Sequence, residues 1–182
     1  MICLRCIVAA IPLLALSLAA HARVFQGVVT HVWDGDSLWV RPASGGTPRQ
    51  VRVQGIDAPE VCQAFGLPAR DALAAHVLHR HVAVNSRARD SYRRTLGRVS
   101  MDGQDLGAWM VGRGYAWSYR FGRDRGPYAA LEEQARNARL GLWAHGTPVE
   151  PREFRKRHGS CKQRAPAPSA WLPLRHAIPP AR

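Results

Sequence analysis

Valine and arginine trade places along the chain near residue 50. Val51 and Val53 fall on one side of an extended run, and Arg52 and Gln54 on the other, the period of two that marks a half-buried strand. The same reading predicts strands over Val24–Trp33, Asp36–Arg41, Arg49–Gln54, Val82–Ser86 and Thr95–Met101. Ala43–Pro48, rich in Gly, Ser and Thr, joins the second and third as a hairpin loop, and Asp102-Gly103 turns the chain after the fifth. A helix is predicted over Pro68–His79, with Pro68 in its first turn and Leu73 and Val77 as an i, i+4 apolar pair. A second spans Asp105–Arg113 and stops at Gly114. In a third, over Pro127–Leu140, the apolar positions Tyr128, Leu131, Ala135, Ala138 and Leu142 step by 3, 4, 3 and 4, the spacing of one buried face. Trp109, Trp117 and Trp143 then belong to the packing between helices and strands. Five short strands with a helix between the third and fourth make an α+β fold resembling an OB-type β-barrel with about three helices.

The two ends read differently. Residues 1–22 hold one basic residue, Arg5, then the apolar run Ile7–Ala20, then Ala20-His21-Ala22 as a small-x-small cleavage site. Fourteen apolar residues fall short of the ~20 that span a bilayer. This is the pattern of a signal peptide, so the expectation is a secreted or periplasmic chain, starting at Arg23, with no stable membrane association and a monomeric state. After Gly146 composition shifts: residues 146–182 contain seven of the 13 prolines and eight Lys and Arg against two Glu. From Gln163 onward stable structure is not expected, because Pro and small residues offer little to bury.

Without residues 1–22 the chain carries 25 Lys and Arg against 13 Asp and Glu. Such an excess favours polyanions through counterion release. Charge alone admits nucleic acid, anionic lipid and acidic polysaccharide. Arginine outnumbers lysine heavily, and guanidinium forks match phosphate in a bidentate way, which tilts the reading toward phosphate.

The chemistry concentrates in three segments. Gln50–Glu60 is a strand that bends at Gly55 and stiffens at Ala58-Pro59, carrying Asp57 and Glu60 beside Arg52. Asp34-Gly35-Asp36-Ser37 has the form of a tight turn between strands, and Asp90–Val99 that of a basic turn feeding another. In this order the three segments resemble the staphylococcal nuclease-like (thermonuclease) family, whose bacterial members read D-G-D-[TS], V-R-[LV]-x-G-I-D-A-P-E and Y-G-R-x-L-G-R. The resemblance runs from about Val24, through Gly114-Tyr115-Ala116-Trp117, to Gly141-Leu142-Trp143, which makes residues 23–145 the nuclease-like barrel domain and 146–182 a basic, Pro-rich tail.

That resemblance implies a Ca²⁺-dependent endonuclease acting on DNA and RNA and leaving 3′-phosphate ends. It implies Asp36, Asp57 and the backbone carbonyl of Ala58 as metal ligands, Glu60 as general base, and Arg52 and Arg94 as phosphate clamps. Asp34 would orient the ligands, Tyr92 would contact a phosphate, and Tyr119 and Phe121 are candidates for base stacking. Arg93 stands where the family usually has glycine, and is a further candidate for binding substrate. Ala58 replaces a threonine and Gly107 a frequent asparagine, and the loop aromatics align less cleanly. Two other classes compete: a catalytically weak nucleic-acid-binding OB module, which retention of Asp36, Arg52, Asp57, Glu60 and Arg94 argues against, and a basic envelope-binding protein, which only charge supports. His76, His79 and His81 form a rival metal cluster without an obvious fourth ligand for zinc.

Cys3 and Cys6 leave with the signal segment, so Cys62 and Cys161 remain as a candidate disulfide in an exported protein. The bond would fold the basic run Arg155-Lys156-Arg157 back beside the loop that carries Glu60.

Overall fold

Strand β1 (Arg23–Asp34) is long enough, at 12 residues, to serve two neighbours. Its second half pairs antiparallel with β2 (Ser37–Pro42) and its first half with the later strand His81–Arg89. The computed structural model describes residues 23–161. Within them the chain continues through β3 (Arg49–Val53), β4 (Ile56–Asp57), α1 (Gly66–Val77), β5 (His81–Arg89), β6 (Thr95–Met101), β7 (Gln104–Asp105), α2 (Leu106–Gly112), β8 (Trp117–Ser118) and α3 (Ala129–Asn137). A 3₁₀ turn (Gly141–Trp143) and α4 (Pro151–His158) complete it. Five strands close a ring in the order β3-β2-β1-β5-β6, and a parallel β3–β6 pairing seals it. The fold is an α+β, five-stranded mixed barrel with four helices.

The ring closes because its inward positions are β-branched or aliphatic. Val29, Leu38, Val40, Val51, Val84 and Val99 are wholly buried, and each lies on the inner side of an alternating strand. Leu73 and Val77 of α1, with Leu106, Met110 and Val111 of α2, cover the open ends of that core. Trp117 and Trp143 pack edge to face, 5.2 Å between centroids, in a smaller cluster with Ala135 and Leu142. Trp109 packs partly buried against the main core and stacks on His76 at 4.0 Å.

Some element ends differ from the sequence reading. α1 begins at Gly66, two residues ahead of Pro68, and ends at Val77 before His79 reverses the chain at φ +63°. α3 ends at Asn137, so Ala138 is exposed rather than on the buried face. The position that face takes up instead is Glu132, only 3% exposed. Its carboxylate meets Arg120 at 2.6 Å and Arg136 at 2.7 Å, and accepts the Ser118 N–H at 2.9 Å. A buried acid so fully partnered is tolerated, and no apolar periodicity could have announced it. The sequence pattern does not predict α4: its roughly two turns, Pro-Arg-Glu-Phe-Arg-Lys-Arg-His, carry almost no apolar stripe. Residues 1–22 and the stretch from Gln163 onward lie outside the described residues. No described helix is long and apolar enough to cross a membrane.

Gly66 couples α1 to the loop before it. A Cβ there would lie 1.8 Å from the Glu60 carbonyl oxygen, a backbone atom that cannot yield alone. Alanine normally stabilises a helix by about 1 kcal/mol over glycine. Here Gly66→Ala should instead destabilise by about 1–3 kcal/mol, the usual cost of overpacking, measured by chemical denaturation. A gain in stability would mean the Glu60 loop is not wedged against α1.

Candidate active site

Strand register brings the three chemical segments to one end of the barrel. Ser37 of β2 pairs with Arg52 of β3, and Arg52 in turn pairs with Leu96 of β6. The turn between β1 and β2 is tight: Asp34 Oδ1 accepts the Asp36 N–H at 2.9 Å. Asp36 is 4% exposed and uses both oxygens, Oδ1 accepting from the Ser37 hydroxyl at 2.9 Å and Oδ2 from the Ala58 N–H at 2.8 Å. The last bond ties the first loop to the second across 22 residues of chain.

Arg52 lies between the two carboxylates. Nη1 is 2.9 Å from Asp36 Oδ2 and Nη2 is 3.1 Å from Asp57 Oδ1. Nη1 also donates to the carbonyls of Val53, 3.2 Å, and Ile56, 3.0 Å, which the bend at Gly55 (φ +84°) turns back toward the guanidinium. Burial works against the Arg52 charge, but Asp36, Asp57 and Asp34 outweigh it and hold the guanidinium more firmly protonated than in water. Burial likewise lifts the Asp57 carboxyl above its ordinary value, Arg155 and Arg52 pulling it back and Asp36 adding to the rise. Asp34 is raised further, first by burial and then by the charge of Asp36 beside it.

Glu60 sits on the loop that follows, with its N–H donating to Gln63 Oε1 at 3.2 Å and its carbonyl accepting the Gln63 N–H at 2.8 Å. Two residues on, Cys62 forms a disulfide with Cys161, Cα atoms 5.9 Å apart. The bond sets α4 across the loop. From α4, Arg155 donates Nη1 to Asp57 Oδ1 at 3.1 Å and Nη2 to Asp57 Oδ2 at 2.9 Å, a bidentate pair. Its Nη1 also meets Glu60 Oε1 at 3.2 Å, and the Cys161 N–H reaches Glu60 Oε2 at 3.3 Å. Of the basic run 155–157, the sequence pointed to the neighbourhood but not to Arg155 as the residue that reaches the carboxylates. Helical phase decides it: Lys156 turns to Glu153, and Arg157 is exposed.

Arg94 enters from the start of β6. Asp90 organises that turn, accepting the N–H groups of Tyr92 and Arg94 on Oδ1 and the Arg94 Nε on Oδ2 at 2.6 Å. Arg94 Nη1 also lies 3.3 Å from the Ser37 hydroxyl, and its guanidinium stands 5.4 Å from the Tyr92 ring centre. Asp90 was missed by sequence reasoning, although an Asp opening a turn and bonding the backbone two residues on is a known signal. Arg93 adopts φ +65°, a left-handed conformation that glycine takes without strain. It is exposed and does not line the cleft.

The cleft has a volume of about 840 Å³. Asp34, Asp36, Arg52, Glu60 and Arg94 line it, together with Arg155 and the aromatics Tyr92, Tyr119 and Phe121. Tyr92 and Phe121 are 78% and 76% exposed, so each presents open ring surface to a flat partner, Tyr92 on the side away from Arg94. Asp36 and Asp57 present only oxygen, the donor suited to a hard divalent cation, and the cationic groups already drawn to them are Arg52 and Arg155. Among the described residues no three His, Cys, Asp or Glu side chains converge to hold a metal. His76, His79 and His81 are not brought together as a site: His76 stacks on Trp109 and meets Gln104 Oε1 at 3.2 Å.

Residues 50–145 match the family model described as Staphylococcal nuclease homologue. The chain is similar to Protein ParB of Escherichia coli, 40% identical over 159 residues that cover 81% of this chain and 88% of that protein. It is 39% identical to Micrococcal nuclease of Shigella flexneri over 165 residues, 84% of this chain and 92% of that one. An uncharacterized endonuclease of Haemophilus influenzae is 34% identical over 128 residues, covering 70% and 71%.

Asp34 yields a pH prediction. The folded state keeps its proton to a higher pH than the unfolded chain, whose Asp titrates near about 3.9. Its contribution to stability is therefore fully present below that value and is lost as pH rises through the raised folded value. In chelator, the stability of the wild-type protein relative to Asp34→Asn should fall as pH rises above about 4, the unfolded value, and through the raised folded one. A difference independent of pH would mean that Asp34 ionises as it does in water.

Proposed function

The chain belongs to the staphylococcal nuclease family and is a nuclease, and from that premise we propose an exported, monomeric, Ca²⁺-dependent endonuclease that cuts DNA and RNA to leave 3′-phosphate ends. The observation that carries the reading is the convergence at one barrel mouth of Asp36, Arg52, Asp57, Glu60 and Arg94, drawn from three separate segments. The same convergence argues against a barrel that only binds nucleic acid.

Asp36, Asp57 and the carbonyl of Ala58 would hold the cation, with water completing a shell of hard oxygens. When bound, Ca²⁺ supplies positive charge against a phosphoryl oxygen. Glu60, held by the Gln63 turn at the cleft wall, takes the proton of the attacking water. Arg52 and Arg94 balance the negative charge that grows on the phosphoryl oxygens as phosphorus becomes five-coordinate. Neither serves as an acid, because a guanidinium does not give up its proton in this range. Both are aimed before substrate arrives, Arg52 by the Val53 and Ile56 carbonyls and Arg94 by Asp90. Asp34 orients Asp36 through its backbone N–H. Tyr92, Tyr119 and Phe121 offer stacking surfaces along the strand's path, and the excess of arginine draws the polyanion in. Arg93, exposed beside this path, contributes charge rather than a defined contact.

Incubation of purified protein with plasmid DNA should give cleavage that needs Ca²⁺ and stops in chelator, while Mg²⁺, which demands a tighter octahedron, supports little turnover. Full activity in chelator, or in Mg²⁺ alone, contradicts the metal reading.

Glu60→Gln and Arg94→Ala should each lower the single-turnover rate ~10²–10³-fold with the fold intact by circular dichroism. Arg93→Gly should keep its activity within a few fold and leave the protein as stable or slightly more so, because glycine suits the positive φ. A larger loss at Arg93 than at Arg94 would shift the clamp to the neighbouring residue.

A further inference from the structure

Arg155 occupies the carboxylate that the proposed cation needs. Its guanidinium covers both oxygens of Asp57 from the cleft side, at 3.1 and 2.9 Å, and the same side chain touches Glu60 at 3.2 Å. Asp57 Oδ1 already accepts Arg52 at 3.1 Å, so with Arg155 the carboxylate carries two guanidinium partners. A Ca²⁺ ion requires its oxygens at about 2.3–2.6 Å, and a guanidinium seated on both oxygens of Asp57 opposes it there by charge and by crowding.

The position of Arg155 is enforced at both ends of α4. After the helix, Cys161 is bonded to Cys62. Before it, the Val149 carbonyl accepts the Gln63 side-chain N–H at 2.6 Å, and Glu150 pairs with Arg120. Gln63 and Cys62 belong to the Glu60 loop, so α4 is fastened to the segment whose charge it neutralises. A tethered cation of this kind acts at high effective concentration, because little freedom is left to lose on pairing.

Resting on the metal reading above, we propose that Arg155 is a built-in competitor for the cation at Asp57, held there by the Cys62–Cys161 bond, so that the free protein binds Ca²⁺ more weakly than its carboxylates alone would. Binding requires the guanidinium to swing off Asp57. It remains in the cleft lined by Arg52 and Arg94, where a substrate phosphate offers it another anion. Cation and nucleic acid then favour each other's binding, each relieving a cost of the other.

Calorimetric titration of the purified protein with Ca²⁺, without substrate, tests this independently of activity. Arg155→Gln should bind Ca²⁺ about 10- to 100-fold more tightly than wild type, the worth of a charge-assisted pair no longer broken. Arg155→Lys, which keeps the charge, should stay nearer wild type. The Cys62→Ser/Cys161→Ser double variant should fall between wild type and Arg155→Gln, since the guanidinium is kept and only its tether is lost. Circular dichroism and the rise in Tm with added Ca²⁺ serve as second measurements in case a variant is less stable. Equal or weaker Ca²⁺ binding by Arg155→Gln, with clear binding by wild type, overturns the competition and leaves the metal reading standing. Absence of Ca²⁺ binding in all variants overturns both.

Discussion

Everything at the barrel mouth depends on where one guanidinium rests. Arg52 joins Asp36 of the first loop to Asp57 of β4 while accepting direction from two backbone carbonyls of its own turn. Two carboxylates this close would repel one another without it. With it they can be buried, and burial is what strengthens every charge interaction in the cleft. The barrel provides the fixed points. β3 pairs with β2 on one side and with β6 on the other, so the ring that buries Val51 and Val53 also aims Arg52, on the opposite face, toward the loops.

Period two was therefore informative twice in one strand, once for the core and once for the site. The barrel strands, the inward valines and the carboxylate loop were legible because each rests on local rules: alternation, a bend at Gly55, a stiff Ala-Pro step. Residues with non-local partners were not. Glu132 lies in a helix face that reads as apolar, and only Arg120, Arg136 and the Ser118 N–H make its burial tolerable. Asp90 was hidden by the arginines it organises. Ala138 followed the expected spacing, but the helix stopped one residue earlier, which left it in water. The rival histidine cluster failed for the same geometric reason, since His76 is held by an aromatic stack instead of a shared ligand.

The C-terminal segment changes the picture of the site most. Composition alone marked it as a basic tail, and its hydrophobic content is too low to foretell a docked helix. What docks it is polar and covalent: the disulfide to Cys62, the Gln63–Val149 bond, and ion pairs at Glu150 and Asp57. Pairing Cys62 with Cys161 was accessible from the cysteine count and the expectation of export. The consequence, a third guanidinium over Asp57 and Glu60, was not. A charge run can act as a diffuse attractor for polyanions and still contribute one residue with a defined partner.

A crystal structure of the protein grown with Ca²⁺ and an uncleavable dinucleotide would test the central claim most directly. The expected result is a cation against Asp36 and Asp57, a phosphate between Arg52 and Arg94, and Glu60 facing a water beside the phosphorus. A nucleotide bound elsewhere on the basic surface, with Arg52 untouched and no cation at Asp57, would contradict it.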